Sequence, residues 1–504
     1  MTTALGIDGN SLTLADVVLV ARNRAPVTLD DQARARMQRV RDIVDRKLAS
    51  GEAVYGVNTG FGKLSDVAIP ADRLKDLQVN LVRSHAAGVG PLLPEEEVRA
   101  MMLLRANVLA KGHSGVRPEL ADLLLSMLNA GLFPPVPEQG SVGASGDLAP
   151  LSHLALSMLG EGDLCTGNRR GPAAELLAER GIRAVELGPK EGVALANGTQ
   201  AHTAVAALAL HDAHVLWHTA HVAGAMSLEA LMGTPVAFDE RIHAARGQEG
   251  QIRSAALLRA LLADSEIRES HRMGDPRVQD AYALRCMPQV HGPVGDLLRF
   301  ADDIVGRELN AATDNPLVFE DGSLISGGNF HGQAVAMVLD MLAIGMTNLA
   351  VIAERRIDRL VHPDLNQGLP PFLTQDAGAS SGYMIAQVTA AALASECKML
   401  SHPASVDSIP TDGSKEDVVP MAMGAAWKLR RVVGNVRNIL AIELLCGSQG
   451  IDFRRPLRSS APVERAHSIV RALVPTMDRD RPVSPDILQV AGAIAEERFS
   501  AVAG

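Results

Sequence analysis

A predominantly helical, all-α chain is what three observations predict. Hydrophobic residues make up 47% of the 504 but aromatic ones only 3%, so Ala, Leu, Val, Ile and Met must fill the interior, and these favour closely packed helices. Apolar residues recur at helical spacing over long stretches, and strand signals are scarce. A chain of this length also buries a large core.

Taken in order, Asp30 and Asp31 open a segment in which Ala33, Met37, Val40, Val44 and Leu48 form an apolar stripe and Gly51 stops it, which predicts an amphipathic helix. Pro94 followed by Glu95, Glu96 and Glu97 starts a second, with Lys111 and Gly112 near its end, as capping preferences and the helix dipole favour. Pro118 to Gly131 repeats that logic, and Leu151 to Leu159 is a further apolar segment. Residues 201 to 234 and 332 to 360 read as long, strongly apolar helices and Gly382 to Met399 as another, whereas Gly322 to Gly328 reads as a turn-rich loop. No repeat and no Pro/Ser-rich linker divides the chain. An N-terminal domain over 1–200 and a helical bundle over 201–504 are therefore expected, with a soft boundary near residue 200.

The net charge of −10, with no long basic block, offers no footprint for nucleic acid or an anionic membrane, which leaves a small molecule as the expected partner. Cys165, Cys286, Cys397 and Cys446 are far apart and form no C-x-x-C pair, which suits free thiols in a reducing cytosol. Met1 to Asn10 includes Asp8 and no basic residue before its first apolar stretch, unlike a signal peptide. The strongest membrane candidate, Ala334 to Ala353, carries Asp340 and Asn348 and ends at Glu354-Arg355-Arg356, so a helix buried in a bundle is expected and the localisation is cytoplasmic. His211, His214, His218 and His221 share a helical face, but without His-Glu-x-x-His they read as polar residues where helices or subunits meet, and no metal is expected. Gly56 to Lys63 lacks the first glycine and the final Ser/Thr of a phosphate loop, and Ser395-Glu396-Cys397-Lys398 lacks the companion motifs of a penicillin-recognising nucleophile.

The most informative segment is Gly140-Ser-Val-Gly-Ala-Ser-Gly-Asp-Leu-Ala-Pro150. Side chains supply nucleophiles and acids but almost no electrophiles. Ala144-Ser145-Gly146 can make one: if the Gly146 nitrogen attacks the Ala144 carbonyl, loss of water from the ring and of the Ser145 hydroxyl leaves a methylene conjugated to an imidazolone. Gly146 has no Cβ to obstruct the approach, Ser145 carries the leaving hydroxyl, and Ala144 adds little bulk. Three small residues alone would read as a glycine-rich turn; Pro134, Pro135, Pro137 and Pro150 frame this one. A nucleophilic Gly-x-Ser-x-Gly does not fit, because the second glycine comes one residue early and Asp147 stands in its place.

With its continuation Leu151-Ser-His-Leu-Ala155, this stretch resembles the signature of the histidine and aromatic amino acid ammonia-lyases, in which the tripeptide forms 4-methylidene-imidazol-5-one (MIO). The resemblance extends through Tyr55-Gly-Val-Asn-Thr-Gly-Phe-Gly62, Asn80 to Gly88, Asn197-Gly-Thr-Gln200, Val278 to Cys286, Thr313 to Leu317, Gly327-Gly-Asn-Phe-His331, and Ser408 to Asp417, about residues 50 to 450. It implies a mainly helical homotetramer with shared active sites, an electrophile made from the chain and no diffusible cofactor. It implies that Tyr55 is the general base, that Arg285 binds the substrate carboxylate, that Asn197 and Tyr282 flank the MIO group with Gln279 nearby, and that Phe330 packs close to the ring. An arginine suits the carboxylate because its planar fork donates two parallel hydrogen bonds.

Substrate choice turns on His85 and Glu416, which match the histidine branch, where the phenylalanine and tyrosine enzymes carry Leu and Gln. The expected reaction is deamination of L-histidine to trans-urocanate and ammonia. The alternatives are a tyrosine or phenylalanine ammonia-lyase, a 2,3-aminomutase, or a non-catalytic paralogue, the last opposed by the joint presence of Tyr55, Ser145 and Arg285. The chain departs from the histidine branch at Asp412-Gly413-Ser414-Lys415, where Ser-Ala-Asn-Gln is usual, and at Ala281 and His291; Lys415 stands where it can compete for the Glu416 carboxylate.

Overall fold

The computed structural model describes residues 4–50, 69–70 and 73–503. It is built mainly of α-helix, with nineteen helices among the described residues and strands only as short two-stranded pairs.

Helix ends follow the chemistry of their sequences. Asp31–Ala49 begins where the Asp30 carboxylate accepts from the Gln32 and Ala33 N–H groups at 2.8 and 3.0 Å, closes with Arg46 and Lys47 in its last turn, and buries Ala33, Met37, Val40 and Val44. Glu95–Ala110 starts after Pro94 with three glutamates in its first turn. It is buried all round from Glu97 onward, so Arg99 and Arg105 lie in the core and donate to backbone carbonyls of Val20, Ala21, Leu128, Ala194 and Asn197. Pro118–Asn129 places its proline in the first turn, where the missing N–H costs nothing. Leu148–Met158, Gln200–Ala230, Gln333–Val361 and Met384–Leu400 realise the remaining expected helices, with Leu148–Met158 starting three residues before the apolar run. One helix among the described residues, Gln333–Val361, is long and apolar enough to cross a membrane, and 72% of its apolar window is buried inside the protein.

Contacts divide the chain into two units, each assembled from separate stretches. The first comprises Met1–Leu208, Ala301–Asp340 and Pro403–Trp427, the second Ala209–Phe300, Met341–His402 and Lys428–Gly504. The expected boundary near residue 200 falls close to the end of the first stretch, but two later stretches return to the first unit, which no linker in the sequence announces.

All four strand pairs lie in the first unit: Leu5–Ile7 parallel to Val27–Leu29, and three antiparallel pairs. The pair Val89–Leu92 with Pro137–Gln139 positions the site, setting Val89 opposite Gln139 and tying the chain after His85 to the start of the glycine-rich loop. The Gly322 to Gly328 region is a hairpin arm rather than loop throughout, since Leu324–Ile325 pairs with Leu317–Val318. A buried Lys190 to Asp314 ion pair at 2.9 Å lies within this unit.

The second unit is anchored by Arg356, fully buried, whose guanidinium meets the Glu443 carboxylate at 2.9 Å from Nη2 to Oε2, while Ser227 Oγ donates to Glu443 at 2.7 Å. Two members of the histidine face have partners within the protein. His211 meets Glu497 at 3.0 Å; His221 donates from Nδ1 to the Trp217 carbonyl at 2.8 Å and packs edge-on against His291, ring centroids 4.6 Å apart.

Candidate active site

The loop from Ser141 to Asp147 joins the strand Pro137–Gln139 to the helix Leu148–Met158. Its shape depends on glycine. Gly143 and Gly146 sit at φ +73° and +70°, in the left-handed region, and a Cβ on Gly146 would lie 2.1 Å from the Gly198 carbonyl oxygen. That approach is fixed by a bridge between Gly146 and Gly198 and by the Asp147 N–H, which donates to Gly198 O at 2.7 Å. Ala144 is buried, while Ser145 keeps a half-open position.

Three of the expected residues meet here by hydrogen bonds. Asn197 ends the helix Glu191–Ala196; its Nδ2 donates to the Ser145 carbonyl at 2.8 Å, and its own carbonyl accepts from Arg105 Nη1 at 3.0 Å. The Ser145 hydroxyl donates to Glu416 Oε1, and Thr411 Oγ1 donates to Oε2. Glu416 takes its hydrogen bonds from these hydroxyls instead of from Lys415. The turn that delivers it, Asp412, Gly413 and Ser414, has three successive positive φ values of 46°, 58° and 65°, and the backbone N–H of Thr411 closes it on the Glu416 carbonyl at 2.9 Å.

Two more are tied to the same loop through backbone. His85 is the last residue of the helix Leu74–His85, half-buried, with Nδ1 3.0 Å from Ser84 Oγ. Three residues on, Gly88 N–H donates to His153 Nε2 at 3.2 Å, and Gly140 packs closely on Gly88, where a Cβ would lie 3.1 Å from the Gly88 Cα. Phe330 is half-buried in the segment whose Gly332 N–H donates to the Gly143 carbonyl at 3.0 Å. Tyr55 lies outside the described residues.

Gln279, Tyr282 and Arg285 belong to the second unit and form a group of their own. Gln279 is exposed and lines a small cavity with Arg277, Asp280 and Arg359. Tyr282 opens the short helix Tyr282–Arg285 and is 70% exposed, and the Arg285 guanidinium stacks 4.8 Å over its ring. Arg285 pairs with no carboxylate among the described residues, and its Nε is buried without a hydrogen bond. An uncommitted guanidinium held flat on an aromatic face is a ready receptor for a carboxylate.

Sequence reading missed the groups behind the loop. Asp147 is fully buried and accepts from Ser141 Oγ at 2.7 Å, His202 N–H at 2.9 Å and His202 Nδ1 at 3.0 Å. Burial pushes its carboxyl up, but the charge of His202 and these hydrogen bonds outweigh burial and hold it below the ordinary carboxylate range. Arg105, also fully buried, is pulled down to about 10 by desolvation, against the nearby charges of Asp314 and Asp147. Asp147 sat inside a legible motif, so an acidic residue directly after the tripeptide could have been flagged; nothing in the sequence pointed to His202 or Arg105.

An aromatic amino acid lyase family model matches residues 12–472. The chain is 54% identical over 499 residues to the histidine ammonia-lyase of Anaeromyxobacter sp. (strain K), covering 97% of this chain and 98% of that one. Among solved structures it is similar to histidine ammonia-lyase from Trypanosoma cruzi, with TM-score 0.92, 44% identity, and 99% and 95% of the two chains covered. It is also similar to tyrosine aminomutase from Streptomyces globisporus, with TM-score 0.94, 39% identity and coverage of 99% and 98%.

Proposed function

Because this chain belongs to the aromatic amino acid lyase family, a family of carbon-nitrogen lyases, we propose that it deaminates L-histidine to trans-urocanate and ammonia at an electrophile made from Ala144-Ser145-Gly146. The observation that carries this reading is the junction of Ser145 with Asn197 and Glu416.

The residues present fit an MIO group. Gly146 is pressed on the Gly198 carbonyl where no Cβ could sit, Ala144 is buried, and the Asn197 side chain directs one donor at the Ser145 carbonyl while its Oδ1 has no partner among the described residues. Once formed, the ring supplies an electrophile for the substrate amine. Asn197 Nδ2 holds its hydrogen bond on the oxygen through which the ring draws electrons, and a preorganised donor at such an oxygen is worth more than the same donor in water.

Glu416 gives the substrate reading. Its Oε1 is occupied by the Ser145 hydroxyl, the group lost when the ring forms, while Thr411 continues to hold Oε2. The carboxylate is then left with one acceptor facing the reacting centre, suited to an imidazole N–H, with His85 as a second polar partner for that ring. Tyr55 is assigned removal of the β-proton, Arg285 the substrate carboxylate beside Tyr282 and Gln279, and Phe330 the wall next to the ring.

A homotetramer is part of the proposal, supported by apolar side chains that helices leave exposed: Met337, Met341 and Ile344 on Gln333–Val361, and Ile385, Val388 and Met399 on Met384–Leu400. A cytoplasmic location is proposed on its four free thiols. Size-exclusion chromatography with light scattering tests the assembly. Offering the purified protein L-histidine, L-tyrosine and L-phenylalanine separately, with ammonia and near-ultraviolet absorbance both followed, tests the reaction; a β-amino product would make it an aminomutase.

A further inference from the structure

Ring closure is a demanding step for a peptide. The Gly146 nitrogen bonds to the Ala144 carbonyl carbon, the Gly146 amide proton passes to the Ala144 oxygen, and that oxygen leaves as water with the Ser145 amide proton as a double bond forms between the Ala144 carbonyl carbon and the Ser145 nitrogen. A second water takes the Ser145 hydroxyl together with the Ser145 Cα hydrogen. Both losses need the flanks of the tripeptide held close, because proximity of the reacting atoms is what makes an intramolecular attack fast.

One residue reaches both flanks, by its carboxylate on one side and its backbone N–H on the other. Asp147 accepts from Ser141 Oγ, which itself accepts from the Gly143 N–H at 3.1 Å just before Ala144; on the other side the Asp147 N–H is fixed to Gly198 just after Gly146. A buried carboxylate is costly without a counter-charge, and a protonated one gives up an acceptor. His202 provides the counter-charge from the first turn of the helix Gln200–Ala230, giving Asp147 both its backbone N–H and Nδ1. Burial lowers the His202 imidazole, but the Asp147 charge and hydrogen bond, with Glu308 adding to them, raise it above its ordinary value.

The same ring touches a second strap. A Cβ on Gly332 would lie 2.7 Å from His202 Nε2, so the imidazole fills the space in front of Gly332, and it is the Gly332 N–H that donates to the Gly143 carbonyl. His202 Nε2 has no hydrogen-bond partner among the described residues, and nothing in the proposed reaction with substrate uses this side chain. It is buried behind the loop between the two residues that strap the loop down.

We propose that His202 is the positioning residue for ring closure: paired with Asp147 and packed on Gly332, it holds the Ser141 to Asp147 arc in its compressed form. This rests on the ring-forming reading of Ala144-Ser145-Gly146. Its consequence is that maturation of the electrophile depends on a histidine that the proposed reaction with substrate does not use.

The test follows the full chain made by cell-free synthesis, as wild type, His202→Gln and His202→Leu. The folded oligomer is isolated at intervals, its intact mass gives the fraction lighter by two waters, and its thermal midpoint is measured beside it. Wild type loses both waters. His202→Leu closes at least about tenfold more slowly, the factor that corresponds to about 1.4 kcal/mol of lost positioning, and His202→Gln, which keeps an N–H for Asp147, recovers part of the rate. Wild-type closure also slows at alkaline pH as the imidazole loses its charge facing Asp147 and Glu308, with Arg105 close to Asp147, relative to the Gln variant. A Leu variant that folds and closes at the wild-type rate overturns the proposal. If Leu does not fold, a Gln variant with wild-type rate and wild-type pH profile overturns it equally. Wild type that never shows the mass deficit removes the ring-forming reading itself, a different result from any of these.

Discussion

Replacing Glu416 by Gln tests how the site chooses its substrate. Glu416 has two hydroxyl donors, Ser145 on one oxygen and Thr411 on the other, and the proposed ring formation would remove the first. In Glu416→Gln one oxygen survives. The Thr411 hydroxyl can donate or accept, so the amide settles against it in either orientation, but the formal charge opposite the substrate ring is gone. A hydrogen bond to a charged group contributes about 1.5–3 kcal/mol. At about 1.4 kcal/mol per decade, its loss lowers kcat/KM for L-histidine by about one to two orders of magnitude. L-Phenylalanine has no ring N–H to offer, so its kcat/KM falls less or rises, and the preference ratio between the two narrows. The assay is the near-ultraviolet absorbance of the unsaturated product, with ammonia release as a check and intact mass confirming that the variant still loses two waters. A variant within a fewfold of wild type on L-histidine would refute the assignment of Glu416 to the imidazole.

Gly146→Ala places a Cβ 2.1 Å from the Gly198 carbonyl oxygen at φ +70°, so the purified chain should lack the two-water mass deficit and be inactive; a normal deficit with activity would contradict the packing argument. Tyr55→Phe keeps the ring and removes the phenol oxygen, and loss of a general base costs about 10²–10⁴ in rate, so turnover within a fewfold of wild type would move the role to another residue. In the second unit, burial lowers His221 to about 3, and burial likewise takes its neighbour His291 well below its ordinary value. Both are neutral when folded and titrate near 6.5 when unfolded. Their contribution to stability is complete above that value and is lost progressively as pH falls below it, by up to about 1.4 kcal/mol per pH unit for each histidine. Thermal midpoints measured from pH 7 to pH 5 should fall, and a His221→Phe, His291→Phe double variant should flatten that slope; an unchanged slope would exclude the pair as its origin.

Much of the architecture was legible because it is local. Asp30 and the apolar stripe from Ala33 to Val44 specify a helix start and a buried face within one segment, and the three glutamates after Pro94 do the same for the next. Local signals say nothing of which stretches pack together. The return of 301–340 and 403–427 to the first unit depends on contacts such as Lys190 with Asp314, whose partners are far apart in sequence. The tripeptide proposed to form the ring stood out in the sequence for the same reason as the helices, since its requirements are met by three adjacent residues. The sequence offered Glu416 only as a candidate substrate group; its bond to the Ser145 hydroxyl joins residues brought together by a turn of three left-handed residues. His202 left no trace in the sequence because a buried histidine on an apolar helix looks the same whether it fills space or carries a charge. The short strand pair that brings Val89 beside Gln139 was likewise silent, its strands being three and four residues long.

On the proposed function this chain turns its own Ala144-Ser145-Gly146 into the electrophile that releases ammonia from L-histidine. Its most direct test joins two readings on one purified sample: intact mass, and initial rates with L-histidine, L-tyrosine and L-phenylalanine. The expected result is a chain lighter by two water molecules that converts L-histidine far faster than either other substrate, with ammonia and unsaturated acid formed in equal amounts. A chain of full mass that nevertheless releases ammonia, or one that prefers L-tyrosine and yields a β-amino acid, would contradict it.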